Sequence, residues 1–371
     1  MPKERIGLMG GSFNPIHLGH TLMASAALKC AGLKQVLFVP SGNPPHKRIT
    51  QVSNEQRYQM VLAAIGREKA FRPSRLELDR VGVVYSVDTL SLLKKEYPKA
   101  EICFIIGEDT LRELTSWHQY ERVFGLCTFL VVRRDADSPF GEAMRKMRKL
   151  GAKLEEVPMP LYAASSTAIR AALEKGHMPD TLCAAVQAYI GLNGLYGYPA
   201  YFENAAPILN QLIKTQSPSL FSHSLGVCQC AREMAGLYGV NLKQAALAGL
   251  LHDCAKGLPL SDPLLHAAAG ERLAEAEYGI SDKAVLHAIG CHTMGREEMT
   301  RLDMVVYLAD KIELGRKPYD GLDRLRALAQ TDLQAAVIAS MESTLNHLKA
   351  TDAFIHPDLR KSLTWLQTHS I

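Results

Sequence analysis

An α/β doubly wound parallel sheet followed by an all-α domain is the fold this sequence predicts, and three observations predict it. Up to about Gly197, short β-rich runs alternate with helical patterns, which is the signature of βαβ units joined by right-handed crossovers. From Phe202 onward the β-rich runs largely vanish and helical periodicity takes over. The chain has 371 residues, more than one hydrophobic core usually serves, so two domains are expected, 1–198 and 202–371, with the Gly- and Tyr-containing stretch Gly194 to Tyr201 at the join.

Taken in order, Arg5 to Met9, Gln35 to Pro40, Glu101 to Ile106, Cys127 to Val132 and Lys153 to Pro158 read as strands. Helical patterns fall between them, as at Asn54 to Ala64, where Ser53 and Gln56 have the spacing of a capping box. In the second part the pattern predicts helices over Phe202 to Thr215, Phe221 to Tyr238, Leu242 to Ala255, Asp282 to His292, Leu302 to Leu314 and Leu322 to Lys349. Gly and Pro punctuate the joins, as at Gly257 to Pro259.

Composition excludes several classes. A hydrophobic fraction of 47% with 22% charged residues is ordinary for a globular chain. There is no run of about 18 apolar residues, so no membrane span is expected. The start Met1-Pro2-Lys3-Glu4-Arg5 lacks the pattern of a signal peptide, which makes the cytoplasm the expected compartment. Eight cysteines are scattered without a C-x-x-C pair and read as buried reduced thiols. The net charge of +4 divides into +7 up to Gly197 and −3 beyond it. A basic first part suits polyanionic small molecules, whereas no block of five or six basic residues argues for nucleic acid. The composition leaves homo-oligomerisation open.

The most informative segment is Gly10-Gly11-Ser12-Phe13-Asn14-Pro15-Ile16-His17-Leu18-Gly19-His20. A strand ends in two glycines, which allow a sharp turn and close approach of a ligand to the backbone. A helix starting near His17 would then offer unpaired N–H groups and the positive end of its dipole to a phosphate. His17 and His20, three apart, share one face of its first turn. The glycine spacing fits neither G-x-G-x-x-G nor the P-loop.

This string resembles the H-x-G-H nucleotidyltransferase signature, and in its full length it is similar to nicotinate-nucleotide adenylyltransferases of bacteria. Further matches follow in order: Pro44-Pro45-His46-Lys47, Tyr85-Ser86-Val87-Asp88-Thr89-Leu90, Ile106-Gly107-Glu108-Asp109, Trp117, and Ala164-Ser165-Ser166-Thr167-Ala168-Ile169-Arg170. The resemblance covers Lys3 to about Gly197 and implies a Rossmann-like sheet. It implies in-line attack of a mononucleotide 5′-phosphate on the α-phosphorus of ATP, with Mg²⁺. His17, His20, Lys47 and Arg170 would stabilise charge, and Gly10, Gly11, Ser12, Phe13, His46, Thr89, Gly107, Asp109, Trp117, Ser165, Ser166 and Thr167 would bind ATP and nicotinate mononucleotide. Asn14 stands where the family often has Asp.

A second constellation lies in the helical part: His223, the pair His252-Asp253 after an apolar run, and Asp310 on a later apolar helix. Imidazole with carboxylate suits iron, manganese or zinc. Adjacent residues on a straight helix point about 100° apart, so His252 and Asp253 share a metal only if their helix ends or faces inward there. The set resembles the HD metal-dependent phosphohydrolases. The strings His223-Ser224-Leu225-Gly226-Val227, Leu247 to Lys256, Ala288 to Gly295 and Leu302 to Glu313 look like the bacterial branch that hydrolyses diadenosine tetraphosphate to two ADP. That resemblance implies a divalent metal, iron being the expected ion, on His223, His252, Asp253 and Asp310, with Asp253 also catalytic. Lys256, His287 and His292 are secondary candidates for phosphate or ADP contact, the histidines also for a second metal. His118, His177, His266, His347, His356 and His369 read as surface or satisfied histidines, His266 being the first to reconsider. The same residues leave open another H-x-G-H adenylyltransferase whose HD domain acts on a different nucleotide or serves as a nucleotide-binding sensor.

Overall fold

The computed structural model describes residues 3–42, 52–133, 140–259 and 263–370. The chain divides into two compact units, Met1–Cys183 with Leu195–Tyr198, and Ala184–Gly194 with Pro199–Ile371.

The first unit contains β1 (Arg5–Gly11), α1 (Leu18–Cys30), β2 (Gln35–Pro40), α2 (Asn54–Ile65), β3 (Phe71–Pro73), α3 (Ser86–Glu96), β4 (Glu101–Gly107), α4 (Glu108–Glu113), α5 (Tyr120–Leu126), β5 (Thr128–Val132), α6 (Phe140–Lys149), β6 (Lys153–Val157) and α7 (Ser166–Glu174). The strands form one parallel sheet in the order β3-β2-β1-β4-β5-β6. Chain order therefore reverses between β1 and β4, and the crevice outside the carboxyl ends of these two strands is where such sheets bind ligands. Central strands are buried on both faces: Ile6, Leu8, Phe38, Val39, Ile102, Phe129 and Val131 lie in the core. Helix α2 begins as its capping pattern predicts, Ser53 Oγ accepting from Gln56 N at 3.1 Å and Gln56 Oε1 accepting from Ser53 N at 2.8 Å. Strand β3 was not anticipated, because three residues ending in proline carry no alternation that a sequence pattern can register.

The second unit is helical: α8 (Ala184–Asn193), α9 (Ala205–Thr215), α10 (Pro218–Leu237), α11 (Leu242–Leu251), α12 (His266–Ala276), α13 (Lys283–Cys291), α14 (Arg301–Ile312), α15 (Leu322–Leu328), α16 (Leu333–Ala350) and α17 (Pro357–Thr368). Helix α10 opens with Pro218 behind Ser217, whose hydroxyl accepts from Leu220 N at 3.3 Å. Helix α14 is buried almost all round, from Leu302 to Asp310, as expected of a helix at the centre of a bundle. The run Leu322 to Lys349, predicted as one helix, is two; Asp332 starts the second by accepting from Ala335 N at 2.9 Å. Helices α8, α12 and α17 were not predicted, and α8 packs with this second unit rather than the first. No helix among the described residues is long and apolar enough to cross a membrane.

Candidate active sites

In the first unit the two glycines close β1 at the carboxyl edge of the sheet, and a Cβ on Gly10 would meet the Phe104 ring at 3.4 Å. The chain then turns through Phe13, at φ 44°, into α1. His17 is the N-cap of α1 and His20 its third residue. The His17 backbone N–H donates to His20 Nδ1 at 3.2 Å, and the two rings lie 3.8 Å apart, centroid to centroid. That bond fixes the His20 tautomer, so a neutral ring carries its proton on Nε2.

The same turn is braced from three sides. Arg170 Nη1 on α7 donates to Asn14 O at 2.7 Å, and Ser166 Oγ donates to Pro15 O at 3.0 Å. Tyr196 Oη donates to Asn14 Oδ1 at 2.8 Å. Arg57, fully buried on α2, donates through Nη1 to Ser12 O at 2.7 Å and through Nη2 to Ser41 O at 2.5 Å and Asn54 Oδ1 at 2.7 Å. Burial opposes its charge and lowers its pKa, with Tyr196 and Glu77 acting the other way. The amino ends of α1 and α7 thus converge on one loop, two positive dipole ends suited to a polyphosphate. Arg57 escaped sequence reading because it looks like one more polar residue on an amphipathic helix.

Other expected residues are placed as follows. Ser165 caps α7, its Oγ accepting from Ala168 N at 3.5 Å, and Thr167 Oγ1 accepts from Arg170 Nη2 at 3.3 Å. Gly107 ends β4 as the N-cap of α4, and Asp109 is exposed in that helix's first turn. Trp117 is half-buried with its ring 5.5 Å from Phe104 and 6.4 Å from Phe129. Thr89 is buried, and its hydroxyl donates to Glu77 Oε1 at 2.6 Å. His46 and Lys47 lie outside the described residues.

In the second unit α11 ends at Leu251, and the side chains of His252 and Asp253 just beyond it reach one cluster with His223. His223 Nε2 lies 3.0 Å from Asp310 Oδ1 and 3.8 Å from Asp253 Oδ2. His252 Nε2 lies 3.3 Å from Asp253 Oδ2 and 3.6 Å from Asp310 Oδ1. On the other side of Asp253, Oδ1 faces His266 Nε2 at 3.2 Å and His292 Nε2 at 3.5 Å. The ligand atoms form two groups that share Asp253: His223, His252, Asp253, and Asp253, His266, His292.

The surroundings aim these atoms inward. His252 Nδ1 donates to Gly249 O and His292 Nδ1 to Ile289 O, each at 2.8 Å, which leaves both Nε2 atoms facing the cluster. His252 Nε2 and Asp253 Oδ1 are buried and lack well-formed hydrogen bonds, so both could serve a cation. Lys256 Nζ at 2.7 Å from Asp253, and Lys311 Nζ at 2.8 Å and Arg316 Nη2 at 2.5 Å from Asp310, ring the carboxylates with positive charge. Burial would raise the Asp253 pKa, but His252, His266 and His292 reverse that and hold it well below the carboxylate range. Burial likewise opposes the charge of His252, which Asp253 and Asp310 nonetheless raise to about 9, while burial wins at His292 and lowers it to about 4.

Two sequence expectations change. His266, read as a surface or satisfied histidine, is in the cluster: it opens α12 and reaches Asp253 from the chain beyond Lys256. His287 is not in it; its Nδ1 lies 4.0 Å from Asp303 Oδ2, because a residue five before His292 points to a different part of the helix surface. Glu313 was also missed as a contributor, with Oε1 3.2 Å from His223 Nδ1.

Residues 8–172 match the Cytidylyltransferase-like family and residues 220–315 the HD domain family. A probable nicotinate-nucleotide adenylyltransferase/Ap4A hydrolase of Mycoplasma genitalium is 30% identical over 369 residues, covering 94% of this chain and 99% of that protein. A probable nicotinate-nucleotide adenylyltransferase of Thermus thermophilus is 40% identical over 200 residues, 52% of this chain and 99% of that one. A crystal structure of a predicted HD superfamily hydrolase involved in NAD metabolism from Clostridium acetobutylicum is 35% identical, covering 44% of this chain and 96% of that chain at a TM-score of 0.43. With both domain families present in this order and a relative matched nearly end to end, the chain belongs to the family that fuses a nicotinate-nucleotide adenylyltransferase-type, cytidylyltransferase-like domain to an HD domain.

Proposed function

We propose that the chain is a bifunctional enzyme of nucleotide metabolism. Its 1–198 domain transfers AMP from ATP to nicotinate mononucleotide, giving deamido-NAD and pyrophosphate, and its 202–371 domain hydrolyses diadenosine tetraphosphate to two ADP. The relatives named above support the substrates, and the cytoplasm is the compartment that suits them.

The observation that carries the first activity is the His17–His20 pair at the amino end of α1, with the amino end of α7 against the same loop. In the transfer the mononucleotide 5′-phosphate oxygen bonds to the α-phosphorus of ATP as the bond to pyrophosphate breaks, so no covalent intermediate is asked of the protein. His17, His20, Lys47 and Arg170 meet the phosphates of MgATP as donors, and rate comes from positioning and charge stabilisation. Gly10, Gly11, Ser12 and Phe13 bring backbone close to the nucleotide. Asp109 suits ribose hydroxyls or the Mg²⁺ that arrives with ATP, and Trp117 offers a face to the pyridine ring.

The second activity rests on the two ligand groups that share Asp253. His223, His252, Asp253 and Asp310 would hold one divalent ion, iron being the proposed metal, and Asp253, His266 and His292 a second. Bound metal supplies Lewis acidity to the phosphoryl oxygens. The chain orients the imidazoles through Gly249 O and Ile289 O, Lys311 and Arg316 offset the charge of Asp310, and Lys256 beside Asp253 is the cation that meets phosphate. A product assay on the full chain with His20→Ala and Asp253→Ala, combined with metal analysis, tests both activities. Each variant is expected to lose one reaction and keep the other. Diadenosine tetraphosphate bound without ADP release would make the second domain a sensor instead.

A further inference from the structure

We propose that Glu313 is a positioning residue for the metal cluster, holding His223 from behind in the one ring orientation that presents Nε2 to Asp310 and Asp253. The inference rests on the reading that this cluster binds divalent metal. Glu313 is the residue that follows α14, three beyond Asp310, so one helix end supplies both a ligand and the group that orients its neighbour. Its side chain is 1% exposed, and Oε1 accepts from His223 Nδ1 at 3.2 Å. The second carboxylate oxygen accepts from Gly315 N at 2.6 Å. The backbone is pinned as well, its N–H donating to Ala309 O at 3.0 Å and its carbonyl accepting from Arg326 Nη2 at 3.0 Å.

The helix opposite makes room for this carboxylate. Gly226 lies one turn along α10 from His223, and a Cβ built there would sit 2.8 Å from Glu313 Oε2 and 3.3 Å from its Cδ. A side chain at 226 would push against a carboxylate already anchored at both oxygens. With Nδ1–H committed to Glu313, the neutral His223 ring keeps its lone pair on Nε2, the atom 3.0 Å from Asp310 Oδ1. Glu313 belongs to neither group of ligand atoms; it acts through His223.

The test is a Mn²⁺ titration of the metal-free full-length chain by calorimetry, with the visible spectrum of the Co²⁺-loaded chain as a second reading of ligand geometry. Glu313→Ala is expected to weaken Mn²⁺ binding by about 10- to 100-fold and to shift the Co²⁺ spectrum, as for loss of a carboxylate that orients a ligating histidine. Glu313→Gln keeps an oxygen acceptor for Nδ1–H and is expected to restore most of the affinity. Gly226→Ala removes no polar atom and is expected to weaken binding in the same direction, which keeps the test open if Glu313→Ala does not fold. Wild-type Mn²⁺ affinity and Co²⁺ spectrum in Glu313→Ala or Gly226→Ala, alongside a clear loss in His223→Ala, would overturn the role of Glu313 alone. Undiminished binding in His223→Ala would remove the metal-site reading, and this inference with it.

Discussion

Replacing His20 with alanine tests the catalytic role proposed for it beside the structural one it has at the start of α1. Its Nδ1 accepts the His17 backbone N–H at 3.2 Å, and its ring meets Phe13 edge to face with centroids 5.1 Å apart. The hydrogen bond is long for its type and contributes about 1 kcal/mol, to which the aromatic contact adds roughly 0.5–1.5 kcal/mol. His20→Ala is therefore expected to cost the first unit about 1.5–2.5 kcal/mol, a fall in Tm of roughly 3–10 °C for a domain of this size. The other nitrogen, Nε2–H, is the donor assigned to phosphate. Loss of one preorganised donor to a developing oxyanion costs about 3–4 kcal/mol, so kcat/KM for adenylyl transfer should fall by about 10²- to 10³-fold. His20→Gln distinguishes the two: glutamine at the third helical position can accept the same N–H and recover much of the stability, without an imidazole to recover the rate. The assay is pyrophosphate release with ATP and nicotinate mononucleotide, beside thermal melts of the same preparations. A kcat/KM within about threefold of wild type in His20→Ala would refute the catalytic role and leave only the cap.

Further expectations concern the rest of the chain. Asp253 belongs to both ligand groups and His266 to one, so metal analysis should find both ions lost in Asp253→Ala and one retained in His266→Ala; equal metal content in the two variants would contradict the shared aspartate. Arg57→Ala strips charged donors from Ser12 O, Ser41 O and Asn54 Oδ1, and should cost roughly 3–5 kcal/mol of stability and lower adenylyl transfer while sparing diadenosine tetraphosphate hydrolysis, measured by melts and separate product assays. Burial raises the thiol pKa of Cys103 to about 11 and of Cys228 and Cys254 to about 12. At pH 8 these thiols stay protonated and unreactive, so an aromatic disulfide reagent should label exposed Cys30 quickly in the native protein and all eight cysteines only after denaturation. Rapid native labelling of Cys228 would show that α10 opens.

What was legible in the sequence is what short-range chemistry specifies. Two glycines after an apolar run specify a turn at a strand end, and Ser53 and Gln56 a helix start, whereas α11 ends at Leu251, six residues before the Gly257 that was expected to stop it. Each signal lies within a few residues of what it determines. Strand β3 gave none, because Phe71–Pro73 is held by pairing with β2 and not by its own pattern.

The sequence by itself determined the two-part architecture, the strand-to-helix turn at Gly10 to His20, and His223, His252, Asp253 and Asp310 as candidate ligands. Only the tertiary structure decided that His266 joins them while His287 does not, that the Thr89 hydroxyl donates to Glu77, and that Arg57 and Glu313 stand behind the two sites. The reason is physical. Caps, turns and helix ends follow from local hydrogen bonding and allowed dihedrals, whereas convergence on Asp253 depends on how α10, α12, α13 and α14 pack, and packing brings together residues whose separation along the chain carries no periodic trace.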